Sequence, residues 1–176
     1  MRRLILLRHT AIHERYNGVC YGQSDIELSA AGTAEATRLA AVYRALKLDL
    51  VLHSGLQRTR LLAEQVSVTA RAEPALRERH FGAWELRTWD DIYAATGEAM
   101  LGLIDAPETW APPGGETTYA LRDRVLRWYR ALPNNGTVLA VTHGGVIAAL
   151  RGTLENAPVA RWPDLAPGYG QAVEMV

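Results

Sequence analysis

The sequence predicts an α/β fold, a three-layer α/β/α sandwich around a mainly parallel central sheet. Three apolar runs, at residues 4–7, 48–52 and 138–141, are nearly continuous rather than alternating, which is typical of strands buried on both faces of a parallel sheet. Segments with helical patterning alternate with these runs, as in βα units. The chain of 176 residues is long enough for one domain with a substantial core.

Each predicted helix has its place next to a predicted strand. An alanine-rich helix follows Ser29, a candidate N-cap, and continues to Lys47. A second helix is predicted at residues 57–66, directly after the second strand, and a third at 117–132, before the last of the three strands. A fourth helix, at 144–154, follows that strand, and residues 173–176 are a candidate for one more strand.

The regular pattern stops between about residues 71 and 116. This segment contains Trp84, Trp89 and Trp110, one helix candidate within residues 88–104 and a turn-rich stretch at 111–116. It is too short to hold a core of its own. We therefore predict a single domain over residues 1–176, with an inserted lid segment at about 71–116.

The composition argues against several classes of protein. The 19 Lys and Arg residues balance 19 Asp and Glu residues, so no overall field would attract nucleic acid or a membrane surface, although a local basic pocket stays possible. The single cysteine, Cys20, excludes an intrachain disulfide and is interpreted as a packed thiol in a reducing compartment. The apolar run near the N-terminus is too short for a signal peptide. We expect a cytoplasmic protein with no nucleic-acid and no membrane partner.

The three predicted strands end in residues that bind anions. Arg8 and His9 end the first strand, Ser54 and then Arg58 follow the second, and His143 follows the third. Because the carboxyl ends of parallel strands meet at one edge of the sheet, we expect these side chains to share a crevice, with helix N-termini beside it. Alone, each histidine would more often be a cap or a core residue, and the second arginine a surface residue. Together they favour a phosphoryl site.

Two histidines and two arginines in one crevice suit phosphoryl transfer. A neutral imidazole can attack phosphorus and form a phosphohistidine that water hydrolyses, while cationic donors stabilise charge on the phosphoryl oxygens. The leaving oxygen needs a proton from an acid. Glu78 and Glu85, near Phe81 and Trp84, are the candidates from the residues alone, and the alternative for either is a solvated surface glutamate.

The remaining histidines predict no metal site. His13, His53 and His80 complete no ligand spacing typical of a metal centre. We therefore predict neither a metal nor a cofactor. A metallohydrolase that uses these histidines is the alternative, and sensitivity to a chelator would reveal it.

Four stretches taken together resemble the histidine phosphatase superfamily, which has the phosphoglycerate-mutase-like fold. They are LLRHT (residues 6–10), HSGLQRTRLLAEQ (53–65), LRERHFGAWE (76–85) and VTHGGVI (141–147), in the order of the family's motifs. Two positions depart from the usual pattern, because Thr10 replaces a glycine and Gly55 replaces a proline. The resemblance covers nearly the whole chain.

The resemblance implies a role for each matching residue. His9 would be the nucleophile, Glu78 the acid, and His143 a further catalytic residue. The residues implied to bind the transferred phosphoryl group are Arg8, Arg58, His143, Thr10 and Gly144. The implied partner is a small-molecule phosphate ester.

Two further stretches are similar to the branch that includes α-ribazole 5′-phosphate phosphatase of the cobalamin pathway. They are NGVCYGQSDIELS (residues 17–29) and WAPPGGET (110–117). The resulting expectation is a metal-independent phosphomonoesterase that acts on α-ribazole 5′-phosphate. The alternatives are a broad-specificity phosphatase, a phosphoglycerate-mutase-like enzyme and a non-catalytic phosphate-ester-binding module.

Charge in the inserted segment disfavours the mutase. A mutase needs extra cations for a second anionic group, whereas residues 84–115 hold Arg87 against a set of carboxylates: Glu85, Asp90, Asp91, Glu98, Asp105 and Glu108. We expect a substrate with one phosphate and an otherwise neutral body. The tryptophans of the segment could stack on an aromatic leaving group or form a small core.

Overall fold

The computed structural model of the chain describes residues 1–175 and has the predicted three-layer α/β/α architecture. Within these residues five strands form the central sheet in the order β4-β3-β6-β1-β7, and a separate pair joins β2 to β5. The strands are β1 (Arg2–Arg8), β2 (Val19–Cys20), β3 (Leu50–His53), β4 (Arg71–Ala72), β5 (Arg87–Thr88), β6 (Gly136–Thr142) and β7 (Ala172–Met175). The sheet is parallel except for β7, which runs antiparallel to β1.

The helices lie close to their predicted places. They are α1 (Ala30–Arg44), α2 (Gln57–Val66), α3 (Trp89–Thr96), α4 (Gly102–Asp105), α5 (Thr118–Ala131) and α6 (Gly144–Leu154), with 3-10 turns that include Gly97–Leu101 and Val159–Leu165. Ser29 caps α1 as predicted, because its hydroxyl oxygen accepts the N–H of Gly32 at 2.9 Å. The helix ends at Arg44, short of the predicted Lys47.

Packing on both faces of β1 explains its continuous apolar run. Leu4 and Leu6 point to the side covered by α5 and α6, whereas Ile5 and Leu7 point to the side covered by α1 and α2. All four side chains are buried. The central strands therefore need an apolar residue at every position, and their carboxyl ends are left as the place where polar side chains emerge.

The tryptophans of the predicted insertion form a small core. Trp84 and Cys20 are buried there with Ile92, and the rings of Trp84 and Trp110 lie 5.5 Å apart. Burial also raises the pKa of the Cys20 thiol to about 12, as fits a packed thiol. The structure therefore shows the small core, which is one of the two roles expected of these tryptophans.

The prediction of one helix within residues 88–104 is wrong in number, because this stretch does not form a single continuous helix. The chain forms α3, a 3-10 turn and then α4. The break falls at Gly97, whose φ of 58° leaves the helical region. The candidate strand at 173–176 is confirmed as β7, except that Val176 lies outside the described residues. No helix within residues 1–175 is both long and apolar enough to cross a bilayer.

Candidate active site

Two histidines face each other beyond the carboxyl ends of β1 and β6. The strands pair in parallel, with Arg8 opposite Thr142, and the backbone N–H of His9 donates to the Thr142 carbonyl at 3.0 Å. This register places the rings of His9 and His143 with centroids 5.2 Å apart. Both rings are buried. The predicted meeting of strand ends therefore exists in the fold.

A backbone carbonyl fixes the tautomer of His9. Nδ1 lies 2.8 Å from the carbonyl oxygen of Thr10, and because a carbonyl can only accept, Nδ1 carries the proton. In the neutral ring Nε2 is then left with the free lone pair. The ring is oriented with its nucleophilic nitrogen available.

Each of the two arginines is held by backbone carbonyls and not by a carboxylate. Arg58 donates from Nη1 to Ser24 at 2.8 Å and from Nη2 to Gly22 at 2.6 Å. Arg8 donates from Nη1 to Pro167 at 2.8 Å. Neutral carbonyls fix the position of each guanidinium without cancelling its charge, so both charges remain available to an anion.

Proton counting assigns the second histidine as well. The Thr59 hydroxyl donates to the Leu56 carbonyl, so it accepts from Ser54 Oγ, 2.8 Å away. Ser54 has then used its only proton and accepts from Nε2 of His143 at 2.8 Å. Nδ1 of His143 is buried and has no partner among the described residues. In this tautomer Nδ1 carries a lone pair, so it becomes a donor to an anion only when it takes up a proton.

Unpartnered polar atoms concentrate around these side chains. Among the described residues five buried side-chain polar atoms lack a hydrogen-bond partner, and four of them belong to predicted site residues: Arg8 Nε, Thr10 Oγ1, Arg58 Nε and His143 Nδ1. Each such group costs about 1–3 kcal/mol when left unpaired. Four in one crevice indicate a place that a polar ligand completes.

Two tyrosines that the sequence analysis did not single out border the site. The Arg8 guanidinium lies 4.3 Å from the Tyr169 ring centroid and that of Arg58 lies 5.2 Å from the Tyr21 ring. The two hydroxyl groups are 3.1 Å apart, and the Tyr169 ring lies 5.4 Å from that of His9. Tyr21 lies within the motif at residues 17–29, whereas no sequence pattern indicated Tyr169.

Glu78 lies against the first turn of α6. Its carboxylate accepts the N–H of Gly145 at 3.0 Å and that of Arg79 at 2.8 Å. A Cβ at position 145 would collide with this carboxylate, and one at Gly144 would lie 3.2 Å from Cζ of Arg8. The glycine pair therefore allows both the acid and the arginine to approach the helix start, and Gly145 is a further residue that the site requires.

The helix starts contribute less than predicted. The Gly145 N–H at the start of α6 is occupied by Glu78, and the Gln57 N–H at the start of α2 donates to the Asp25 carboxylate at 2.7 Å. The expectation of free N–H groups after Ser54 and His143 therefore does not hold for these two.

Glu85 is bound to a loop rather than aimed at the site. Its carboxylate accepts the Gln23 N–H at 3.1 Å, the Ser24 hydroxyl at 2.6 Å and the Phe81 N–H at 3.1 Å. The Ser24 carbonyl in turn accepts from Arg58. This arrangement makes Glu85 an anchor for the loop that positions the arginine.

Replacing Glu85 with glutamine should lower stability and activity without regard to the leaving group. Loss of a charged acceptor for three donors should cost about 1–3 kcal/mol in the free energy of unfolding. The kcat/KM values for an aryl and an alkyl phosphate should fall by the same factor, because the loop and not proton transfer is disturbed. Urea unfolding and a two-substrate comparison would check this, and a selective loss on the alkyl ester would contradict it.

Burial keeps both histidines neutral. It lowers the pKa of His9 and of His143 well below the usual 6.5, and the nearby charge of Arg58 lowers both further. A neutral His9 is the form that can attack phosphorus. In the unfolded chain the same rings would protonate near their usual pKa.

Stability should therefore fall as the pH drops below about 6.5. In that range the unfolded state binds protons at His9 and His143 that the folded state does not bind. The free energy of unfolding then falls by up to about 1.4 kcal/mol per pH unit for each histidine. Urea unfolding at several pH values would measure the slope. The double variant His9→Asn/His143→Asn should have a shallower slope than the wild type, and equal slopes would refute this assignment.

Within residues 1–175 no group of three or more His, Cys, Asp or Glu side chains could hold a metal ion. His53 serves a turn, since its Nδ1 accepts the N–H of Gly55 at 3.0 Å.

Comparison with known proteins agrees with the geometry. The family model of the histidine phosphatase superfamily (branch 1) matches residues 4–175. The chain belongs to this superfamily. It is 36% identical over 187 residues to glucosyl-3-phosphoglycerate phosphatase of Mycobacterium tuberculosis, covering 97% of this chain and 82% of that protein. The native structure of the mycobacterial phosphatase of that name superposes with a TM-score of 0.83 at 32% identity and covers 98% of this chain and 89% of that one.

A second kind of relative is more distant. Adenosylcobalamin/alpha-ribazole phosphatase of Escherichia coli is 29% identical over 168 residues, which cover 91% of this chain and 83% of that protein. The predicted superfamily, fold and phosphatase class are confirmed for this histidine phosphatase. The comparisons do not single out the α-ribazole branch, because the mycobacterial phosphatases are more similar.

Proposed function

We propose that this histidine phosphatase is a metal-independent phosphomonoesterase that works through a phosphohistidine at His9. The observation that carries the proposal is a set of buried polar atoms without partners among the described residues, with Nε of Arg8, Nε of Arg58 and the Thr10 hydroxyl as donors and Nδ1 of His143 beside them. A phosphoryl group offers three oxygens with the lone pairs that these donors need. Thr10 supplies a further hydroxyl, and Gly144 leaves room for the Arg8 guanidinium.

In the first step Nε2 of His9 attacks phosphorus in line with the ester oxygen. The phosphorus–oxygen bond breaks and the leaving oxygen takes a proton from Glu78, which gives a free alcohol. The phosphorylated ring keeps its proton on Nδ1, and this N–H donates a hydrogen bond to the Thr10 carbonyl. Arg8 and Arg58 stabilise the charge that develops on the phosphoryl oxygens, and His143 joins them when the bound phosphoryl group draws a proton onto Nδ1.

In the second step water attacks phosphorus and gives a proton to Glu78. The nitrogen–phosphorus bond breaks, inorganic phosphate leaves and neutral His9 returns. Glu78 is again protonated for the next cycle, so one carboxyl acts first as acid and then as base.

For the substrate, we propose α-ribazole 5′-phosphate, on the motifs at residues 17–29 and 110–117. The similarity to mycobacterial phosphatases makes glucosyl-3-phosphoglycerate the rival. A broad-specificity phosphatase, a mutase-like activity and a non-catalytic binding module complete the alternatives.

Phosphate release from a small panel, with a chelator present throughout, tests this proposal. The panel contains α-ribazole 5′-phosphate, glucosyl-3-phosphoglycerate, 3-phosphoglycerate and p-nitrophenyl phosphate. We expect turnover that the chelator does not affect, with the highest kcat/KM for α-ribazole 5′-phosphate. Preference for glucosyl-3-phosphoglycerate would overturn the substrate, and tight phosphate-ester binding without turnover would favour the binding module.

A further inference from the structure

A cavity of about 470 Å³ opens from the candidate active site. Its lining includes Arg8, Glu78 and the glycines that begin α6. Glu78 is the proposed proton donor, so the cavity borders the place where the leaving oxygen must lie. Its volume falls within the range of about 300–1,000 Å³ that is usual for small-molecule sites.

Three parts of the chain supply apolar walls to this cavity. Residues 100–104 contribute Met100, Leu101, Leu103 and Ile104, α6 contributes Ala148, and the 3-10 segment near the C-terminus contributes Val159 and Trp162. The acidic residues counted at positions 84–115 are absent from the described lining of the cavity. The one carboxylate in that lining is Glu78. The expectation of a neutral substrate body therefore rests on the apolar walls of the cavity and not on the acidic residues of the insertion.

Trp162 presents an apolar surface that is fixed in place. Its indole N–H donates to the Ala157 carbonyl at 2.9 Å, so this donor needs no partner from a ligand. A Cβ at Gly152 would collide with the ring, so the tryptophan packs directly on the α6 backbone. The wall that it forms is preorganised.

Two polar side chains of the cavity lining are linked to each other within the protein. Arg79 donates from Nη1 to the Thr118 hydroxyl at 3.1 Å, and that hydroxyl donates to the Leu103 carbonyl at 2.6 Å. A leaving group rich in hydroxyls would lose its water there and gain few partners, at a cost of about tenfold or more in affinity for each unpaired group. An apolar body would instead gain from burial.

We propose that this cavity binds the organic part of the substrate and selects phosphate monoesters whose alcohol carries an apolar alkyl or aryl body over those of wholly polyhydroxylated alcohols. The inference rests on the proposed function for the position of the phosphoryl group. It departs from the sugar ester in the name of the mycobacterial relatives, and it favours a leaving group with an apolar aromatic ring.

Linear alkyl phosphates test the cavity directly. From ethyl to hexyl phosphate kcat/KM should rise by up to about 250-fold, since the four added methylenes contribute about fourfold each when fully buried. Propyl phosphate should be better than glycerol 3-phosphate, which has the same number of carbons. A flat series, or preference for glycerol 3-phosphate, would overturn the inference.

Binding of alkylphosphonates keeps the test independent of turnover. Calorimetry with ethyl- and hexylphosphonate should show the same preference for the longer chain. If no ester is hydrolysed but this preference is present, the proposed function fails and the inference stands. If esters are hydrolysed and the phosphonates bind equally, the inference fails and the proposed function stands.

A matched pair of variants locates the effect. Leu101 lines the cavity and is 45% exposed, whereas Leu61 on α2 is 38% exposed and lies elsewhere. Leu101→Asn should lower kcat/KM about tenfold more for hexyl phosphate than for ethyl phosphate, while Leu61→Asn should change neither. Ala148→Leu, which fills part of the cavity, should also lower kcat/KM more for the hexyl ester than for the ethyl ester. Equal effects of both asparagine variants would refute the assignment.

Discussion

Replacement of His9 with asparagine should reduce turnover of every phosphate ester by about 10⁴-fold or more, the size of effect seen when a catalytic nucleophile is removed. The amide can fill the place of the ring, but it cannot attack phosphorus. The reason lies in the site itself, where the Thr10 carbonyl holds the proton on Nδ1 and burial keeps the ring neutral. Steady-state kinetics on p-nitrophenyl phosphate would measure the loss.

His53→Asn is the matched control for this variant. His53 is buried like His9 and ends β3, which β6 separates from β1, but its Nδ1 serves the turn at Gly55. The control should keep turnover, because an asparagine oxygen can accept the same N–H. Base-quenched wild-type enzyme should carry phosphate on His9, and phosphate trapped on another residue would contradict the mechanism.

Replacement of Glu78 with glutamine should separate substrates by their leaving groups. An alkoxide needs a proton as it departs, so kcat for an alkyl phosphate should fall by about 10³-fold. p-Nitrophenolate is a stable anion that leaves without one, and its ester should lose less than about tenfold. The amide can still accept the Gly145 N–H, so the start of α6 should stay in place.

The contrast with Glu85 makes this result decisive. Glu85→Gln should lower both rates by one factor, since that carboxylate anchors the loop at Gln23 and Ser24. Equal losses for the two esters in the Glu78 variant would remove Glu78 from the acid role. A selective loss in the Glu85 variant would transfer that role to Glu85.

Local sequence patterns were sufficient for most of the framework. Continuous apolar runs identify buried parallel strands because both faces of β1 are covered, and Ser29 identifies the start of α1 because its hydroxyl caps the helix. The ends of these strands are predictable as well. A charged or imidazole side chain that is buried without a partner costs free energy, so such a residue marks the point where the buried strand ends. The segment at 88–104 failed as one helix because Gly97 turns out of the helical region.

The candidate site divides in the same way. The sequence by itself determined which residue types reach the edge of the sheet, Arg8, His9, Arg58 and His143, because strand direction and residue order are local properties. Only the tertiary structure decided how they are tuned. The Tyr21–Tyr169 contact joins positions 148 residues apart, and Glu78 differs from Glu85 only through the partners that each carboxylate finds. The apolar cavity likewise comes from three separated segments. Such contacts depend on distances between backbone segments, and a one-dimensional pattern does not carry those distances until the core has packed.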